Sequence, residues 1–263
     1  MAVLDQRFLR QTSFDSASPA GTGVVVHRFD RDGEFHLRVC RGEETVQRVR
    51  VNVGRGAGGD DDDSYEKHGG PRQGRPGTGG DPLAAERPPA NATEARAVSL
   101  DVTTLLRPAT EPPELEDLPS RGYLAITSSQ PFPEHHVVVS AADAGDVLDT
   151  RRLGHRSLFA VTLIRPGRYR LVNAITGAEA VVVVTYPKVG KTPYRPPAPL
   201  EIQCTAEGFG ASTFTISPAQ GIVFRLATES RIQLELVEPD DGPHRDEPRR
   251  KASMRRPPPA GQA

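Results

Sequence analysis

The apolar residues of this chain come in short runs fenced by Gly, Pro, Asp or Ser, a pattern that favours strands and leaves little room for helices. Three runs lie near the start: GVVVHRF (23–29), EFHLRVC (34–40) and TVQRVRVNV (45–53), with Gly33 and Gly42 at turns. Five follow in a middle block: GYLAIT (122–127), HHVVVSA (135–141), SLFAVTLI (157–164), GRYRLVN (167–173) and EAVVVVTY (179–186). A third block offers LEIQCTA (200–206), STFTIS (212–217), GIVFRLA (221–227) and IQLELVE (232–238). Polar and apolar residues alternate in YRLV and IQLELV, as in strands with one wet face. AVVVV is apolar on both sides and suits a strand buried between layers. PPELEDLPS (112–120) can form one or two helical turns at most. The expectation is an all-β protein of packed sandwiches.

Two segments stand outside that pattern. Residues 54–97 hold Gly, Pro and charge, with Leu83 as the only large aliphatic side chain. Such a stretch buries too little apolar surface to offset the entropy of ordering it, and reads as a disordered linker. The basic, Pro-rich stretch 241–263 reads as a disordered tail, and 188–198 as a Pro-rich connector. The remaining blocks are 1–53, 98–187 and 199–240. Block 98–187 is expected to be one sandwich. Blocks 1–53 and 199–240 each look like half of one, so the second can complete the first. Residues 1–20 fit either that sandwich or a projecting arm.

An internal repeat supports the idea of two related sandwiches. FDRDGEFHLRVCRGEETVQRVRVNV (29–53) and LIRPGRYRLVNAITGAEAVVVVTY (163–186) align Phe29 with Leu163, Arg31 with Arg165 and Gly33 with Gly167. Phe35 then falls with Tyr169 and Leu37 with Leu171. A turn glycine, Gly42 or Gly177, and a Val-rich strand follow in each.

Net charge is −1, which gives no field for nucleic acid or an anionic membrane. No stretch reaches the length of a membrane helix, and the start carries Asp5, Arg7 and Arg10 where a secretory signal would be apolar. A scarcity of Lys beside Arg fits a GC-rich genome. A bacterial cytoplasmic protein is therefore expected, with Cys40 and Cys204 as small core residues.

Block 98–187 resembles the cupredoxin-like fold of small blue-copper proteins. EHHVVV sets His135 where that family has its first metal ligand, with His136 beside it. SLFAVTLIRPG supplies a Phe159 strand and a Pro166-Gly167 turn. GRYRLVN matches Gly-x-Tyr-x-x-x-Cys, but Asn173 stands at the Cys position. The loop AITGAE that follows lacks the family's His and Met. Block 199–240 is similar to the opening half of the same fold, with Gly208-Phe209, TFTIS, Gly221 and IVFRL in order. In block 1–53, Cys40 lies one residue beyond the expected spacing from Gly33. Blue copper needs two imidazoles and a thiolate, and an Asn amide is a poor substitute, so the resemblance implies the fold without its copper chemistry.

Other signals are weaker. His135 and His136 are neighbours on one strand, so they point to opposite faces and cannot share a metal without a bulge. His155 reads as a surface residue. VGKT (189–192) ends like a phosphate loop, but Thr185 stands where a Gly is needed and Pro193 where a helix should begin. DDDD (60–63) lacks the spacing of a calcium loop. RRKASMRR (249–256) is a solvated basic patch, with Ser253 in a setting that suits a basophilic kinase. No nucleophile elbow, zinc-protease motif or nucleotide fingerprint is present, and no carboxylates are paired. The sequence points to a non-catalytic interaction or structural module without cofactor, binding a protein partner or itself. The alternative is a copper- or zinc-handling protein using His135 or His136.

Overall fold

Burial alternates along these runs as a period of two requires. In GRYRLVN, Tyr169 and Leu171 are fully buried while Arg168 and Arg170 face solvent. The computed structural model describes residues 10–54, 97–107, 117–143, 145–186 and 194–240. The expected linker and tail lie almost wholly outside the described residues. So do VGKT, DDDD, RRKASMRR and most of the expected helical turn at 112–120; within that turn, 118–119 is strand.

Among the described residues the chain order is β1 (Ser13–Asp15), β2 (Gly23–Arg28), β3 (Gly33–Arg41), β4 (Glu44–Gly54) and β5 (Ala97–Asp101). A single turn of helix, α1 (Val102–Leu105), follows; Asp101 caps it by accepting from the Thr103 amide at 2.9 Å. Then come β6 (Leu118–Pro119), β7 (Tyr123–Thr127), β8 (His135–Ala141), β9 (Gly145–Asp149), β10 (Ser157–Thr162) and β11 (Gly167–Asn173). The series ends with β12 (Glu179–Val184), β13 (Leu200–Cys204), β14 (Thr213–Ile216), β15 (Gly221–Leu226) and β16 (Ile232–Pro239).

Three sheets result. One has the order β6-β4-β3-β8-β9, one β1-β16-β11-β12-β14, and the third β13-β15-β10-β2-β7-β5. Short crossovers carry the chain from β2 to β3, from β6 to β7 and from β7 to β8. They lay the first sheet against the β2, β7 and β5 half of the six-stranded sheet. Corresponding crossovers at β10, β14 and β15 lay the second sheet against the β10, β15 and β13 half. The molecule is thus two sandwiches sharing one six-stranded layer, and one continuous apolar core runs through both.

The sandwiches match strand for strand. Phe35 faces Val51 on one side and Ala141 on the other; Tyr169 faces Val182 and Leu236. Parallel pairs recur at matching places, β4 with β6 and β12 with β14, β5 with β7 and β13 with β15. Gly33 and Gly167 both take a φ near 143°, which other residues avoid. Arg121 and Ala219, at matching turns, both have φ 58°. The join is symmetric too. Val25 pairs with Phe159, and these residues stand 134 apart, as do Gly33 and Gly167. A pseudo-twofold axis therefore passes through the Val25–Phe159 pair. The repeat in the sequence is a repeat in structure.

The expected block boundaries need correction. Block 98–187 is divided: β5 to β9 belong to the first sandwich and β10 to β12 to the second. Strands β2 to β4 of block 1–53 are completed by β5 to β9, and not by 199–240. Among the described residues, the strand pairing between those two blocks is that of β1 with β16, at the edge of the second sandwich. The physical reason is that each sandwich takes its partners in chain order, so the boundary falls at the crossing near residues 150–156.

Residues 16–22 form a strap from β1 back to the first sandwich. Asp15 accepts from Arg231 at 2.7 and 3.1 Å and from Gln233 at 2.9 Å. Ser16 exchanges hydrogen bonds with Ile232. Beyond it, the Ala17 carbonyl accepts from Thr150 at 2.7 Å, and the Ser18 hydroxyl donates to the Phe132 carbonyl at 2.9 Å.

Candidate functional site

His135 and His136 open β8, opposite Arg41 and Cys40 of β3. Both border a cleft of about 920 Å³ between the strap, the Gly42 turn and the start of β16. Phe14, Phe132 and Leu234 supply apolar surface there, and Arg151, Arg231, Asp15 and Glu134 are among its charged residues. These charges are matched. Arg231 holds Asp15, Arg151 holds Asp149 at 2.8 Å, and Arg41 holds Glu134 at 3.1 Å. His136 is 5% exposed. Burial, and then the Arg151 charge, hold its basicity below that of free histidine, against the pull of Asp149 and Glu43. His135 meets the Pro133 carbonyl through Nδ1 at 2.9 Å, an interaction in which the imidazole donates. The structure brings the two histidines to one cleft, and among the described residues no three His, Cys, Asp or Glu side chains are grouped to hold a metal ion.

Asn173 stands in another sheet from His135. It is 1% exposed, and both ends of its amide are hydrogen-bonded. Nδ2 donates to Ser230 Oγ at 3.0 Å, while Oδ1 accepts from the Ile175 amide at 3.2 Å and the Arg231 amide at 3.1 Å. The bond to Ile175, two residues on, is the local turn contact that Asn is suited to make. Cys40 and Cys204 are both buried free thiols, and burial pushes the Cys204 thiol up to about 12.

A second site was invisible in the sequence. His27 of β2 faces Ser157 of β10 across the join, Nδ1 to Oγ at 2.9 Å, at the floor of a pocket of about 420 Å³. His27 packs edge-on against Phe29 at 5.2 Å. Burial, aided by the Arg156 charge and opposed by Asp30, lowers its pKa to about 4. A serine beside a neutral imidazole is the first half of an acyl-transfer apparatus, which also needs a carboxylate to orient the ring. Asp30 is bound instead by Arg156 at 2.6 Å. The pair satisfies two polar groups at the end of the core. Only the register of β2 on β10, a contact between residues 130 apart, brings them together.

The outer face of the six-stranded sheet is the third feature. Its inner face carries Val25, Phe159, Ile126 and Phe224, all wholly buried. The opposite face carries Val24 and Val26 of β2, Leu158 and Ala160 of β10, Ala125 of β7 and Val223 of β15, each half-buried. Register makes these one block: Ala125, Val26 and Leu158 lie in a row, with Val24, Ala160 and Val223 in the next. Polar residues bound it, with Ser99 of β5 on one side and the Arg225–Glu201 ion pair at 2.7 Å on the other. A sheet with one solvated face ordinarily alternates apolar inside with polar outside, and here the centre of the outer face is aliphatic. Among the described residues, no helix is long and apolar enough to cross a membrane. No family model matches the chain, and neither a curated protein nor a solved structure is similar to it.

Proposed function

We propose that this protein is a non-catalytic interaction module, a pair of cupredoxin-like or immunoglobulin-like sandwiches whose metal site has been replaced by core. The observation that carries the reading is the aliphatic block on the outer face of the six-stranded sheet. A contiguous apolar patch on a solvated face is the usual mark of a protein contact surface. Asn173 supports the loss of metal chemistry, since its amide oxygen already accepts two backbone hydrogen bonds where a ligand would stand. The pairing of every cleft arginine named above with a carboxylate supports a structural part for the strap and cleft. The test is a photo-crosslinking residue at position 158 of the full chain, irradiated in the native cell. A covalent adduct with a polypeptide is expected. No adduct at position 158, beside a productive control at exposed Val46, rejects the reading.

A further inference from the structure

We infer that the partner of the outer face is a second copy of this chain, packed sheet against sheet about the aliphatic block. This rests on the reading of that face as a contact surface.

Three features of the face choose this occupant. The first is its shape. The block consists of Val24, Val26, Ala125, Leu158, Ala160 and Val223, branched or small side chains on a continuous sheet. Its centre holds no aromatic or arginine side chain of the kind that anchors many interfaces; Arg28 and Tyr123 pair just beyond Val26 and Ala125, and Arg225 follows Leu158 at the rim. An aliphatic pleated surface is the natural counterpart of another one, as in the aligned packing of two sheets at about 10 Å. The second is symmetry. The pseudo-twofold axis at Val25–Phe159 turns Val24 into Leu158, Val26 into Ala160 and Ala125 into Val223. The face therefore keeps its position and aliphatic character after a half turn, with Val, Leu and Ala exchanged, and isologous pairing requires a surface that complements itself. The third is the chain's own composition. Residues 55–96 contain Leu83 as their only large aliphatic side chain, and 241–263 contain no Val, Ile, Leu or Phe. Neither of these two long segments offers an apolar surface to match the block, whereas a second copy does; the first nine residues, with Val3, Leu4, Phe8 and Leu9, are the apolar stretch of the chain that the experiment below separates from it.

Size sets the strength of the association. Six strands at ~4.8 Å by about five residues at ~3.3 Å give a face of roughly 500 Å². Two such faces total about 1,000 Å², the lower end for a specific interface. The dimer is accordingly concentration-dependent and not obligate.

The experiment is sedimentation of the full chain from low micromolar to near-millimolar concentration, with hydroxyl-radical footprinting of Val26 and Leu158. Leu158→Glu and Val26→Lys are measured separately, with thermal melts to verify folding. A reversible dimer that protects both side chains is expected, with either substitution raising the dissociation constant tenfold or more. A dimer untouched by both substitutions overturns the inference. So does a monomeric wild type with an open face, which leaves the contact-surface reading standing for an unlike partner. A monomer whose face is already protected means that the chain covers itself, and then both readings fall.

Discussion

The two sandwiches agree most closely where the chain crosses between layers and differ most in the strand that closes the outer sheet. Gly33 and Gly167, Arg121 and Ala219, and the pairs at Phe35 and Tyr169 repeat in conformation as well as position. The closing strand does not. In the first sandwich it is β9, the next strand in the chain after β8, whereas in the second it is β1, brought from the other end of the described chain. Backbone crossings are over-determined by sterics and recur, while an edge needs only some strand to satisfy it. The second sandwich thereby gains the strap, and the cleft with His135 and His136 exists only because a strand of one sandwich is tethered to the other.

The largest expected effect breaks the equivalence at the axis. Phe159 is wholly buried and stacks on Phe224 at 5.9 Å. Phe159→Ala should cost about 3–5 kcal/mol, because the transfer term is joined by a cavity in a core common to both sandwiches. Its partner Val25 loses only two methyl groups on Val25→Ala, a cost on the order of 2 kcal/mol. Urea titrations of the two variants would check this. One transition in each is expected, since one apolar core runs through both sandwiches, and two transitions would mean that they unfold independently.

Acid should act through a histidine that only one of the two sandwiches carries. His27 corresponds to Val161, so only one of the two carries a histidine at this place. Its pKa in the folded protein is about 4, below the 6.5 of free histidine. Between those values the unfolded chain binds the proton and the folded one does not. The stability is thus complete above about pH 6.5 and falls as pH drops toward 4, by about 3 kcal/mol in all. His27→Val should flatten that decline in thermal melts taken from pH 7 to pH 4. An unchanged slope would assign the acid sensitivity elsewhere.

Much of the fold was legible because it is local. Each run between turns became a strand, and the repeat at 29–53 and 163–186 matched residue by residue, since hairpins are set by nearby glycines and a period of two. Partner choice was not legible. The chain runs without a break of composition from β9 to β10, so nothing between Asp149 and Ser157 announces that it has changed sandwiches. That Asn173 stands where the resemblance has its cysteine was readable. Its bonds to Ser230 and Arg231 were not, because they join residues 57 and 58 apart. The outer aliphatic face was present in the letters of GVVVHRF and SLFAVTLI. Each run was read there simply as a strand, and only the sheet order reveals that their alternate residues share one open face.

Gly33 and Gly167 allow a smaller and more pointed comparison. Both have a φ near 143°, so alanine is strained at each by about 1–3 kcal/mol. A Cβ at Gly33 would meet open space, whereas at Gly167 it would come within 2.5 Å of the Glu238 carbonyl oxygen and 2.7 Å of Leu236. Gly167→Ala should therefore be the worse of the two by a further 1 kcal/mol or more, on the order of an overpacked core. Equal losses in paired denaturation curves would mean that β16 simply moves aside.

The smallest effect concerns Tyr169, whose counterpart is Phe35. Both rings are buried, but the polar partner differs. Arg31 lies over the Phe35 ring at 5.9 Å, while the Tyr169 hydroxyl donates to the Arg165 carbonyl at 2.9 Å. Tyr169→Phe makes the second sandwich like the first at this place and removes one hydrogen bond, a loss of about 1 kcal/mol at neutral pH. Alkali probes the phenol itself. Burial, opposed by the Arg165 charge, raises the phenol to about 12 in the folded protein, above the 10 of free tyrosine. Between those values the unfolded chain gives up the proton and the folded one keeps it, so this stability is present below pH 10 and drains away above it. The variant has no such proton to lose. Its deficit against the wild type should therefore shrink as pH rises from 9 toward 11, whereas a constant deficit would mean that the phenol titrates alike in the folded and unfolded chain.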